Sequence, residues 1–253
     1  MKNNKPVVCF WDIETSHIVA ATFGLYNQDI SHENIIQDWF IISGAWKKST
    51  EKGVKAISVN DFKRKSPTDD YGVVKALRDA LEDVDILVHH NGDKFDLKKL
   101  TARLIYHGLP PLPKIVTIDT LKEVKKIAQF TSNRLDYLGT VLVGKGKEHT
   151  SKGLWLAALK GDKHAIEEMV AYNKIDVIRL EQVYYKLKPY IKNPPHMGVL
   201  LSKVRGCSCP SCGGENIKKR GVRVMASGIK KQELQCKDCG HYHTVPYSLV
   251  ITT

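Results

Sequence analysis

Residues 7–15, Val-Val-Cys-Phe-Trp-Asp-Ile-Glu-Thr, constrain the chain most: a β-branched and aromatic run that stays apolar at successive positions until two acids interrupt it. A strand without polar alternation is buried on both faces, which places it inside a sheet covered on two sides. Asp12 and Glu14 are two residues apart, so they leave the strand on one face, roughly 7 Å apart, behind Val8 and Phe10. Two readings are open for them. Either the strand ends at solvent, or the acids share a divalent cation. Buried without a partner they would be costly, and hard cations such as Mg²⁺ or Mn²⁺ take oxygen ligands.

The rest of the first 191 residues supports such a sheet. Residues 35–47 and 54–59 continue the strand pattern, and 17–34 show no period and are expected to be an irregular excursion. A helix is predicted over 69–83, with Val73, Val74, Leu77 and Leu81 on one side. A strand follows at 85–90, then a helix marked by Leu97, Leu100, Leu104 and Ile105 and ended by Gly108, then a strand at 114–119. Residues 120–191 are helical in pattern. Strands, an embedded βαβ unit and then helices predict an α/β domain with a mixed sheet.

The last helix carries a second candidate. Ala165, Met169, Tyr172, Asp176, Leu180, Val183 and Leu187 recur at helical spacing, with Asp176 the only acid in the stripe and Tyr172 one turn before it. A core aspartate bonded to a tyrosine and a working carboxylate are both compatible with that pattern. Between the two candidates lies His89-His-Asn-Gly-Asp-Lys-Phe-Asp96, a strand entering a turn and then a helix. Asp96 stands at the expected N-cap, and Asp93 is expected to bond within the turn or meet solvent. His89 and His90 are adjacent on a strand and face opposite ways, so they are set aside as joint zinc ligands.

Phe10-Trp-Asp12-Ile-Glu14-Thr15, Asn91-Gly-Asp-Lys-Phe95-Asp96 and Tyr172-Asn-Lys-Ile-Asp176 resemble the three ordered motifs of DEDD-type 3′–5′ exonucleases. The Y-x-x-x-D form of the third resembles the proofreading domain of family B DNA polymerases, as do Ile118-Asp-Thr120 and residues 132–138. The histidine subgroup would need His at position 171, which is Ala171. The resemblance implies a ribonuclease H-like fold, a mixed five-stranded sheet flanked by helices. It implies that Asp12, Glu14, Asp96 and Asp176 hold two Mg²⁺ or Mn²⁺ ions, with Tyr172 orienting the attacking water. Asn91 and Phe95 would shape the pocket for the terminal nucleotide. About 60 residues follow this region, too few for a polymerase, so a free-standing nuclease is expected, and a phage or mobile-element replication system, beside replication proteins, would suit it. RNA trimming, structure-specific endonuclease action and a non-catalytic nucleic-acid adaptor are the alternatives to a DNA exonuclease.

Charge and cysteine are both concentrated near the other end. Residues 1–181 hold 27 Lys and Arg against 24 acids, and 182–253 hold 12 against 3, so the excess of positive charge sits in the last third and suits a polyanion such as nucleic acid. Cys209-Pro-Ser-Cys212 and Cys236-Lys-Asp-Cys239 are separated by 23 residues, a CxxC…CxxC spacing that resembles a zinc ribbon holding one structural Zn²⁺. Cys207 is an extra thiol, and His241 and His243 are not expected to ligate. The module is too small for a core of its own. Its Lys218, Lys219, Arg220, Arg223, Lys230 and Lys231, with Tyr242 and Tyr247, suit DNA contacts, with protein contacts as the alternative. The expected organisation is a nuclease-like domain at 1–191, a linker at 192–204 and a small β zinc ribbon at 205–253. Clustered cysteines indicate a reducing compartment, taken as cytoplasmic, and no apolar run is long enough to span a membrane.

Overall fold

The computed structural model describes residues 5–144, 150–203 and 206–248. Its strands and helices follow in the order β1 (Val8–Thr15), β2 (Val19–Ala20), β3 (Ile35–Gln37), β4 (Ile41–Lys48), β5 (Lys55–Ser58), α1 (Tyr71–Ala80), β6 (Ile86–His89), α2 (Asp96–Tyr106), β7 (Val116–Asp119), α3 (Thr120–Ile127), α4 (Leu135–Val143), α5 (Leu154–Leu159), α6 (Lys163–Leu187), α7 (Met197–Leu200), β8 (Ile217–Val224), β9 (Lys230–Cys236) and β10 (Tyr242–Pro246).

The main sheet has five strands in the order β5-β4-β1-β6-β7. β1 is central, antiparallel to β4 and parallel to β6, so the sheet is mixed, as the sequence predicts. Burial on both faces of β1 follows from its composition. Cys9, Trp11 and Ile13 face a core with Val73, Val74 and Leu77 of α1 and Leu100 and Leu104 of α2. Phe10 faces the other core, with Val177, Leu180 and Tyr184 of α6. Gly44 of β4 leaves room for Leu77: a Cβ there would come within 2.6 Å of Leu77 Cδ2.

Two expectations are corrected locally. The strand predicted over 35–47 is broken by Asp38-Trp-Phe40 into β3 and β4, because Phe40 turns into the core and its amide bonds Ser16 Oγ at 3.0 Å. β3 instead pairs with β2, inside the stretch expected to be irregular. The helix predicted from 69 starts at Tyr71, because Asp70 is held elsewhere: Arg103 clamps it at 2.6 and 2.8 Å and it accepts the Ile41 amide.

α6 spans 25 residues, about 37 Å. Asp162 caps it by accepting the Ala165 amide. It crosses β4, β1 and β5 and also carries α4 and α5 on its flanks. This leaves α6 buried on more sides than one apolar stripe, and Asn173 and Arg179 are both enclosed. β8, β9 and β10 form a separate three-stranded antiparallel sheet next to the cysteine cluster. It meets the end of α6: His241 Nδ1 donates to the Pro189 carbonyl at 2.9 Å, and the Met197 amide of α7 donates to the Pro210 carbonyl. Residues 204 and 205, at the predicted edge of linker and ribbon, and 249–253 of the ribbon lie outside the described residues. No helix among the described residues is long and apolar enough to cross a membrane.

Candidate functional site

The carboxylates meet above the Phe10 face of β1. Oxygens of Asp12, Glu14 and Asp176 lie within 4.8 Å of one another. Asp96 borders the same space from α2 and is the strongest charged neighbour of Asp12. Burial, then the charges of Asp96, Glu14 and Asp176, raise Asp12 well above the usual carboxylate range. Burial, then Asp176 and Asp96, push Glu14 up to about 8. Burial raises Asp96 to about 7, against hydrogen bonds from its own amide and that of Ile13. Asp176 is raised by burial and partly restrained by Arg179 and Tyr172. The physical meaning is an excess of negative charge that the protein does not itself neutralise, presented entirely by oxygen donors. That donor set fits hard divalent cations.

Asp96 departs from its predicted position. It is the first residue of α2, with Phe95 at the cap position, and its buried carboxyl accepts its own amide and that of Ile13. Phe95 is exposed beside it, and Asn91 adopts a left-handed backbone with φ 68° at the start of the turn. Tyr172 lies one helical turn before Asp176 and hydrogen-bonds it; burial, then the neighbouring Asp176, raise the phenol's pKa far above its usual range. The phenol therefore stays protonated and acts as a donor.

Three side chains with no motif of their own hold this group. Asn173 Nδ2 donates to Asp12 Oδ2 at 2.6 Å. Arg179 Nη1 donates to Asp176 Oδ1 at 2.9 Å, and Gly139 of α4 makes room for it, since a Cβ there would lie 2.6 Å from Arg179 Cδ. Trp155 of α5 hydrogen-bonds Glu14, and its ring meets Tyr172 edge-on at 6.1 Å. A three-residue offset from Asp176 is the signal in the sequence for Asn173 and Arg179; Trp155 carries none.

The turn before α2 contains a second donor cluster, distinct from the His89–His90 pair. His89, Asp93 and Asp119 offer ligand atoms within 4.8 Å of one another. The two histidines diverge, as expected for adjacent strand residues: His90 bridges Thr120 Oγ1 and the Asn133 carbonyl, each at 2.9 Å. The expectation for Asp93 is corrected, because the left-handed turn folds it back to His89 Nε2 at 3.1 Å and to Lys122 at 2.6 Å. His89 Nδ1 accepts the Gly92 amide at 3.0 Å, so Nε2 carries the proton toward Asp93. Asp119 accepts the Asn91 amide while capping α3. In this arrangement the cluster holds the turn that delivers Asp96.

The four cysteines of the two CxxC pairs also converge within 4.8 Å. Cys209 Sγ is 3.7 Å from Cys239 Sγ, and Cys212 Sγ is 3.6 Å from Cys236 Sγ. Those separations are too long for disulfides and match the roughly 3.8 Å edge of a tetrahedron with bonds of about 2.3 Å to a metal. The small antiparallel sheet with this cluster is consistent with a zinc ribbon. His241 and His243 stack on each other outside it.

Residues 9–188 match a family model, RNase_H_2, described as RNase_H superfamily. The chain belongs to the RNase H superfamily. Among solved structures, this RNase H superfamily chain is similar to the family B DNA polymerase from the hyperthermophilic archaeon Pyrobaculum calidifontis. The TM-score is 0.56 at 15% identity, over 79% of this chain and 27% of that one. At that identity the likeness is one of fold. No curated protein matches the chain. An RNase H superfamily fold with clustered, metal-suited donors is consistent with a nuclease-type hydrolase acting on nucleic acid.

Proposed function

We propose that the chain is a metal-dependent 3′–5′ exonuclease that removes nucleotides from single-stranded or frayed DNA ends. The observation that carries this reading is the convergence of Asp12, Glu14 and Asp176, with Asp96 beside them, into a buried, under-neutralised oxygen donor set next to Tyr172. Asp12, Glu14, Asp96 and Asp176 would hold Mg²⁺ or Mn²⁺. When bound, such ions supply Lewis acidity to the scissile phosphate and lower the pKa of water. Tyr172 keeps its proton, donates to Asp176 and positions the attacking water. Asn173 and Arg179 fix the orientation of Asp12 and Asp176, and Trp155 does so for Glu14. Phe95 would stack on the terminal base and Asn91 would line the same pocket.

Cys209, Cys212, Cys236 and Cys239 would hold one Zn²⁺ that maintains a ribbon at 205–253, joined by residues 192–204 to a nuclease domain at 1–191. The exposed cations of β8 and β9, among them Lys218, Lys219 and Lys230, then give the protein a second grip on DNA. A cytoplasmic setting fits the reduced thiols.

Linear and circular single-stranded DNA of one sequence, each with Mn²⁺, test the reading. Degradation of the linear strand alone supports an exonuclease. Equal cutting of the circle overturns it in favour of an endonuclease.

A further inference from the structure

We propose that a ladder of aromatic and cationic side chains along α2 guides a single strand from the carboxylates into a basic cleft at the far end of that helix. This deepens the exonuclease reading and rests on it for the strand's polarity: Phe95 takes the terminal base, and the nucleotides 5′ to the scissile phosphate occupy the ladder beyond it.

The ladder starts beside Asp96. Lys99 Nζ lies 5.2 Å from the Phe95 ring centroid and 3.7 Å from that of Trp39. Arg103 follows one turn later, 5.8 Å from Trp39 and 4.2 Å from Tyr106. His107 meets Tyr106 and Tyr71 edge-on at 5.0 and 5.5 Å. Phe95 is 42% exposed, Tyr71 45% and Tyr106 73%, so three of the rings present surface to solvent. Arg103 does not face outward. It is buried and locked bidentate on Asp70, which also binds His107 at 2.6 Å, and this network fixes the rings in place.

Beyond Tyr106 lies a cleft of about 640 Å³ between α1, the preceding loop and the end of α2. Lys63, Arg64 and Lys65 line it with the single unpaired acid Asp69, beside the Lys75–Asp79 ion pair, so its charge suits an anion. From Asp96 to Tyr106 the helix rises about 15 Å, a length that about four stacked nucleotides would fill at about 3.4 Å each. Exposed rings that accept base faces, with Lys99 beside Phe95 and the cations of the cleft to meet phosphates, suit single strands, whose bases are open on both sides. Paired bases in a duplex offer no such faces.

5′-Fluorescein oligothymidylates of two to ten nucleotides provide the test. Hydrolysis with Mn²⁺ should give a kcat/KM that rises with length to about six nucleotides and then levels. Tyr106→Ala should lower the octamer-to-dimer ratio of kcat/KM about tenfold, and Tyr106→Phe should restore it. A length-independent wild type, or an unchanged ratio in Tyr106→Ala, overturns the ladder. Fluorescence anisotropy with the octamer needs no turnover. Weaker octamer binding by Tyr106→Ala than by wild type, with no hydrolysis by either, would retain the ladder and remove the exonuclease reading. Equal affinity of wild type for the octamer and its duplex would also overturn the ladder. Lys65→Ala should reduce the salt dependence of octamer binding; an unchanged slope would count against a strand in the cleft.

Discussion

Asn173 on α6 and Asp12 on β1 are 161 residues apart in the chain and joined by a 2.6 Å hydrogen bond, Nδ2 donating to Oδ2. Asn173 is fully buried, and it is the side-chain donor that lowers the pKa of Asp12 against burial and three neighbouring acids. Asn173→Ala should therefore raise the Asp12 pKa further and weaken metal binding more at pH 6.5 than at pH 8.5. A cost of about 1–2 kcal/mol in stability is expected for the lost buried bond. Mn²⁺ titrations of activity at both pH values check this; an equal loss at the two would show that Asn173 acts through packing alone.

Gly139→Ala tests the support behind Asp176. The new methyl would overlap Arg179 Cδ and displace the guanidinium from Asp176. Overpacking of this kind costs on the order of 1–3 kcal/mol, so Tm should fall by several degrees. Activity should fall beyond what the loss of folded protein explains. Circular dichroism melts and specific activity at a temperature where both proteins are folded measure the two effects separately.

Much of this arrangement was legible in the sequence. The apolar run of β1, with its acids on one face, fixed the central strand of a mixed sheet. The four-residue spacing of Tyr172 and Asp176 placed phenol and carboxylate together. Asn173 and Arg179 lie off the single apolar stripe that the spacing of α6 shows, and are buried because α4, α5 and the sheet enclose the helix on several sides. Asp93 is not legible either, because strand alternation describes His89 and His90 but not a left-handed Asn91, which folds the chain back on itself. Trp155 meets Glu14 only through tertiary packing, which no local pattern encodes.

The acids also predict how the metal-free protein responds to pH. Glu14 and Asp96 are raised from 4.5 and 3.8 to about 8 and about 7, so the folded state holds protons that the unfolded chain has released. Their contribution to stability is present below about pH 4 and is lost as pH rises through 7 and 8. With chelator, Tm should decline over that window, and Mg²⁺ should restore more of it at pH 8.5 than at pH 6. Scanning calorimetry at the two pH values, with and without Mg²⁺, gives the answer, and an equal Mg²⁺ effect at both would contradict the carboxylate assignment.

Cysteine ligation predicts a stoichiometry. Purified protein should carry one zinc per chain by atomic emission, and Cys236→Ser should lose most of it. The ribbon should then unfold, because a module this small depends on its metal, and DNA binding should weaken with a flatter salt dependence. Zinc retained in full by the variant would show that the four thiols are not its ligands.

The central claim is that the Asp12 cluster performs 3′-end hydrolysis. Its most direct test follows a 5′-labelled single strand with Mn²⁺ on a sequencing gel, comparing wild type with Asp12→Ala and checking DNA binding for both. The expected result is a ladder shortening from the 3′ end, abolished in Asp12→Ala while binding is largely kept. Equal shortening by the variant, or discrete internal cuts by the wild type, would contradict it.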